Sequence, residues 1–171
     1  MDDGEQVREV YAASAARLVS QLYALTGDFA EAQDMVHEAF ARALSRPGRL
    51  RHVDNPEAWL RTVAMNLARS RYRRRAVFDR LVSTRLVAGA EPAAPGLSPD
   101  HVALVHALQR LPRAVRETVV LHHLADLPVA EVAQLTNCSV DAVKTRLVRG
   151  RRALADLLRE PAPPESELHH A

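Results

Sequence analysis

Only one of the 171 residues is a cysteine, Cys138, which excludes an internal disulfide and any zinc site built from cysteines. Long apolar runs are missing too. None approaches bilayer length, and the opening MDDGEQVREV is acidic where a secretory signal would be basic and then apolar. These absences predict a chain that stays in the cytoplasm with no membrane insertion. Strand-like alternation, internal repeats, a glycine loop for phosphate and a nucleophile beside a base are all lacking. The expectation is an all-α protein with no catalytic residues, no cofactor and no metal site.

What is present is an uneven distribution of charge. The net charge is only +2, yet residues 1–41 carry eight acids against Arg8 and Arg17, a balance of −6. From Arg42 to Arg80 eleven arginines face Asp54, Glu57 and Asp79, a balance of +8. The acidic part suits a basic protein partner, and the basic part suits a polyanion.

Helical periodicity organises the chain. Val7, Val10, Tyr11, Leu18, Leu22 and Leu25 mark one apolar stripe that stops at Gly27. Asp28 and Glu31 have the spacing of a capping box, and Met35, Val36, Ala39, Phe40 and Ala43 bury one side of a second helix until SRPG at 45–48. After a loop, Asn55 caps and Pro56 opens a long helix that runs to the arginines near Arg75. On a helical wheel Trp59, Leu60, Val63 and Leu67 form its apolar arc, while Arg61, Arg69, Arg73 and Arg75 point away as a stripe for phosphate. Asn66 lies at the edge of that arc, placed either to reach a base edge or to satisfy a nearby backbone group, and Trp59 reads as core rather than a stacking platform.

The expected layout is a helical domain over 1–77, a flexible linker over 78–100 rich in Ala, Pro and Gly, a four-helix unit over 101–160, and a disordered tail over 161–171. In the second unit, LPVAEVAQLTNCSVDAVKTRLVRGRRAL at 127–154 has the form of a helix-turn-helix. Pro128 suits a first turn, Asn137 tolerates the left-handed conformation of the turn, and Ser139 is a good N-cap. Cys138 reads as a small packed side chain in that turn rather than a redox sensor. In the second helix Val143, Leu147 and Leu154 face inward, leaving Lys144, Thr145, Val148, Arg149, Arg151 and Arg152 outward. Lys and Arg neutralise phosphates or bond guanine, while Thr145 and Val148 are small enough to lie against bases.

AQDMVHEAFARAL at 32–44, NPEAWLRTVAMNLARSRYRRR at 55–75 and the motif at 127–154 occur in one order, and together they resemble an extracytoplasmic-function sigma factor of the sigma-70 family. The resemblance runs from Val7 to Leu158 and implies sigma region two in the first domain and region four in the second. It implies that Asp34, His37 and Glu38 dock on the beta-prime clamp helices of bacterial RNA polymerase core, with the beta subunit as a further contact. It also implies that the loop Leu50, Arg51, His52, Val53, Asp54 and Asn55 holds a base flipped from the minus-ten element, beside Asn66 and with Arg61, Arg69 and Arg73 on phosphate. Lys144, Thr145, Val148 and Arg149 match positions that contact the minus-thirty-five element, and Arg113, Arg146 and Arg152 read as its phosphate contacts. Promoter DNA and an anti-sigma factor are the further implied partners, in the cytoplasm and associated with the nucleoid. The chain departs from the family pattern at Gln33 and His37, where Glu and Gln are commoner, at Asn137, where Gly is usual, and at Pro128, where Ser or Thr would cap.

Two other readings compete. A helix-turn-helix repressor or activator acting without polymerase would explain residues 127–154 but not the acid-then-arginine pattern before them. An enzyme with a metal on His122 and His123 would need both on one helix face, and adjacent residues point about 100° apart.

Overall fold

The computed structural model describes residues 2–46, 48–82 and 96–159. The expected linker falls largely, and the expected tail wholly, outside these residues. Within them the chain forms α1 (Asp3–Thr26), α2 (Phe29–Leu44), a short 3-10 turn (Leu50–His52), α3 (Pro56–Val82), α4 (Pro99–Gln109), α5 (Arg113–Val119), α6 (Val129–Thr136) and α7 (Val140–Arg159). The fold is all-α, with one three-helix unit and one four-helix unit.

Local chemistry explains most boundaries. Gly27 ends α1 at φ +73°, donating its N–H to Tyr23 O. Asp28 caps α2 by accepting the Glu31 N–H at 2.8 Å. The box is one-sided, because the Glu31 carboxylate turns to Arg75 at 3.0 Å instead of back to the cap. Asn55 caps α3 through the Ala58 N–H at 3.0 Å. Two bounds differ from the sequence reading: α3 continues to Val82, into the span expected to be linker, and α4 starts at Pro99 behind a Ser98 cap.

Leu18 and Leu22 of α1, Met35 and Val36 of α2, and Leu60 and Ala64 of α3 are fully buried and form the first core. Trp59 is half-buried and packs on it, as a core residue should. Tyr11 leaves the α1 stripe: it is exposed, its ring edge-on to Phe40 at 4.9 Å and its hydroxyl 3.2 Å from His37 Nε2. In the second unit Val105, Leu108, Val120, Leu121, Val132 and Val143 are buried together. Gly150 of α7 lets that helix close on α5, since a Cβ there would lie 2.5 Å from Val119 Cγ2.

Between α5 and α6 the chain makes a wide π turn over Val120–Leu124, and Asp126 takes a left-handed φ of +54°. Asp is among the few residues that adopt this conformation at low cost.

The two units pack against each other. The last carbonyls of α1 lack helical donors, and the second unit supplies them. Gln109 Nε2 donates to Ala24 O at 2.9 Å, and Arg116 Nη1 to Leu25 O at 3.0 Å. Burial, and then the neighbouring Arg113 charge, lower the proton affinity of Arg116 from the ordinary arginine value. A side chain at Gly27 would also meet Gln109, with Cβ only 2.8 Å from its side-chain carbons.

Candidate nucleic-acid interface

On α7, Val143 and Leu147 are buried and Leu154 is half-buried, so Lys144, Thr145, Val148, Arg149, Arg151 and Arg152 lie on the opposite, exposed side. The turn before it works as the residues dictate. Asn137 has φ +52° and ψ +49°, and Ser139 Oγ accepts the Ala142 N–H at 3.1 Å. Pro128 gives α6 no side-chain cap. Cys138 is half-buried, its Sγ 3.2 Å from Thr136 Oγ1 and accepting from Arg146 Nη1 at 3.4 Å. Arg146 is therefore half-buried beside the turn, apart from the exposed row.

The acidic helix keeps its outward side. Gln33, Asp34, His37 and Glu38 are all exposed on α2, with Glu38 accepting from Arg42 Nε at 2.9 Å one turn away.

Three residues of the minus-ten set depart from the sequence reading, Leu50, Arg61 and, through its contact with the second unit, Arg69. Leu50 is 4% exposed and plugs the core beneath its loop, so it anchors the loop while Arg51, His52, Asp54 and Asn55 are exposed and Val53 half-buried. Arg61 is buried: its Nε donates to Gln21 Oε1 at 3.0 Å and its Nη2 to Glu57 Oε1 at 3.2 Å. The wheel of α3 put Arg61 outward because a wheel has one apolar side, whereas α3 meets both α1 and α2. The outward arginine stripe begins later on α3.

Asn66 is exposed and shares a groove of about 300 Å³ with Glu38, Arg42, Ser70, Arg71 and Arg74. Arg73 and Arg74 extend into solvent. Arg75 and Arg71 lie 3.0 and 3.9 Å from the buried Glu31 carboxylate. Arg69 and Arg113 point to the other unit: Arg69 Nε donates to Glu117 Oε1 at 2.8 Å, and the Arg113 guanidinium lies 3.9 Å over the Tyr72 ring. Glu117, Gln109, Arg116 and Tyr72 were not singled out by sequence reasoning. Helical periodicity holds no signal for their contacts across the two units, because those partners are 41 to 91 positions away.

His122 and His123 stack edge-on at 4.8 Å, and His122 Nδ1 sits 2.8 Å from Leu127 O, tying the ring to the π turn. Among the described residues no group of three or more His, Cys, Asp or Glu side chains comes together.

Known families decide what this surface belongs to. Residues 10–77 match the family described as Sigma-70 region 2, and residues 101–154 match Sigma-70, region 4. The ECF RNA polymerase sigma factor EcfG of Rhodopseudomonas palustris is 30% identical over 90% of this chain and 86% of its own length. The ECF RNA polymerase sigma factor SigW of Bacillus subtilis is 31% identical over 81% of each chain. The chain belongs to the extracytoplasmic-function sigma factors of the sigma-70 family. It is an RNA polymerase sigma factor for promoter-directed transcription initiation, which works with polymerase core and promoter DNA. The sigma factor RpoE of Bartonella quintana, solved with the anti-sigma factor NepR, has the same fold: the TM-score is 0.74 at 23% identity, over 91% of this chain and 97% of that one. The repressor alternative is not favoured, because a lone helix-turn-helix leaves the region 2 match unexplained. No helix among the described residues of this sigma factor is long and apolar enough to cross a membrane.

Proposed function

We propose that this sigma factor grips promoter DNA at two points while docked on polymerase by α2. The observation that carries this reading is the division of α7, where a buried apolar side backs an exposed row of Lys144, Thr145, Val148, Arg149 and Arg152. In this reading that row enters the major groove of the minus-thirty-five element, with Arg149 on a base edge and Arg152 on phosphate. Arg113 and Arg146 join the phosphate contacts once they leave Tyr72 and Cys138.

At the minus-ten element the loop of Arg51, His52, Val53, Asp54 and Asn55, held from below by Leu50, traps a flipped base beside Asn66. Arg69 and Arg73 follow the strand. Trapping an unstacked base offsets the few kcal/mol that flipping costs and so favours strand opening. Asp34, His37 and Glu38 form the docking face for the beta-prime clamp helices, and the beta subunit contacts the second unit. The factor performs no covalent chemistry of its own and works at the nucleoid in the cytoplasm. An anti-sigma factor is its proposed inhibitor, and the groove of about 470 Å³ floored by Ala12, Ala15, Ala16 and Val19 suits an apolar partner helix.

Run-off transcription with added core polymerase on genomic promoter fragments tests the reading. The wild type is expected to give defined start sites, with Arg149→Ala and Asn66→Ala both impaired. No start site on any fragment defeats it.

A further inference from the structure

Glu31 and Arg116 each carry a buried polar atom that makes no hydrogen bond, Glu31 Oε2 and Arg116 Nε. Both residues line one cleft of about 80 Å³, well above the roughly 10–15 Å³ that admits a single water. Ala68 lies buried in its lining, and the exposed Tyr72 and Arg75 stand at its mouth. Arg113 also lines it, so three guanidinium charges share the cleft with one carboxylate.

The polar groups of the cleft are poorly matched to one another. Arg116 spends Nη1 on Leu25 O and Gln109 Oε1, and Nη2 on Gln109 O and Leu111 O, all of them neutral oxygens. Arg113 lies over the Tyr72 ring at 3.9 Å, a contact that uses no oxygen acceptor. Arg75 Nη2 is 3.0 Å from Glu31 Oε2, but at an angle that makes no hydrogen bond. Arg71, 3.9 Å from Glu31 Oε1, adds a further positive charge beside the carboxylate. Glu31 is only 8% exposed, so its free oxygen needs a proton donor just as the arginines need oxygen acceptors. Water would satisfy either need but leaves the surplus positive charge unanswered.

We propose that this cleft binds inorganic phosphate as the hydrogen phosphate dianion. Its two negative charges balance the surplus of the lining, its unprotonated oxygens accept from Arg75, Arg113 and Arg116 Nε, and its P–OH donates to Glu31 Oε2. Glu31 makes the site selective. Sulfate has the same charge and shape but no proton to give, and a DNA phosphodiester lacks both the proton and the second charge. An oxyanion without a proton leaves the buried acceptor unmet against its own negative charge, so sulfate is expected to bind at least about tenfold more weakly than phosphate.

Isothermal titration calorimetry of the full-length chain with inorganic phosphate and with sulfate, at neutral pH and constant ionic strength, tests the assignment. Wild type is expected to take up one phosphate per chain and to prefer it over sulfate by that margin. Glu31→Gln keeps the shape of the side chain and supplies an amide that donates to sulfate, so it is expected to erase or reverse the preference. Arg113→Gln removes one guanidinium and is expected to weaken phosphate about tenfold. It carries the test should Glu31→Gln fail to fold. Equal uptake of phosphate and sulfate by wild type, or uptake that no folded variant changes, shows an adventitious ion only and overturns the site. The absence of saturable phosphate binding below about 1 mM overturns it as well.

Discussion

Arg149 and Arg61 show how the same residue type takes opposite roles. Arg149 is exposed on α7, and its removal is expected to weaken or relax minus-thirty-five recognition by about 1–3 kcal/mol if it bonds a guanine. Measuring binding across base variants at each position checks this, and a uniform loss would put Arg149 on phosphate. Arg61 is buried against Gln21 and Glu57. Arg61→Ala is expected to cost about 1–3 kcal/mol in denaturant unfolding, because it strands the Gln21 oxygen, while leaving the salt dependence of DNA binding unchanged. A reduced salt slope would show that Arg61 reaches phosphate after all. Arg149 was legible in the sequence because its own helix sets its direction. Arg61 was not, because Gln21 lies 40 positions away on α1.

The helix-turn-helix was the most legible element, since every part of it is local. Asn137 and Ser139 take the conformation and the cap their chemistry suggests. Ser139→Ala is expected to destabilise the second unit by about 1 kcal/mol, and Asn137→Gly to be neutral or mildly stabilising, both read from thermal unfolding. The π turn before α6 gave no such signal: Val120 and Leu121 within it are buried, and no glycine or proline marks it in the chain. It also sets a pH response. Partial burial, then His122 and Arg151, lower the His123 pKa from its ordinary value of 6.5. The unfolded chain then binds more protons than the folded one, so stability is full above about pH 6.5 and falls as pH drops below it. His123→Gln is expected to flatten that acid limb in a series of melting curves.

At the scale of the whole molecule, the expected two domains and linker understate the contact between the units. The C-terminal carbonyls of α1 are completed by Gln109 and Arg116, and buried residues of both units belong to one continuous cluster. The free chain is therefore expected to unfold in one calorimetric transition rather than two, with Gln109→Ala separating the melting of the units. Two resolved transitions in the wild type would show that the contact contributes little. By itself the sequence determined most of the helices, the Asn55 and Ser139 caps, the helix-turn-helix and the outward basic row of α7, because periodicity, turn chemistry and capping act within a few residues. Only the tertiary structure decided which arginines stay outward, that Leu50 is an anchor, and that Glu117 holds Arg69. Those outcomes depend on side chains brought together from distant helices, where burial and charge pairing act across space and leave no spacing in the chain to read.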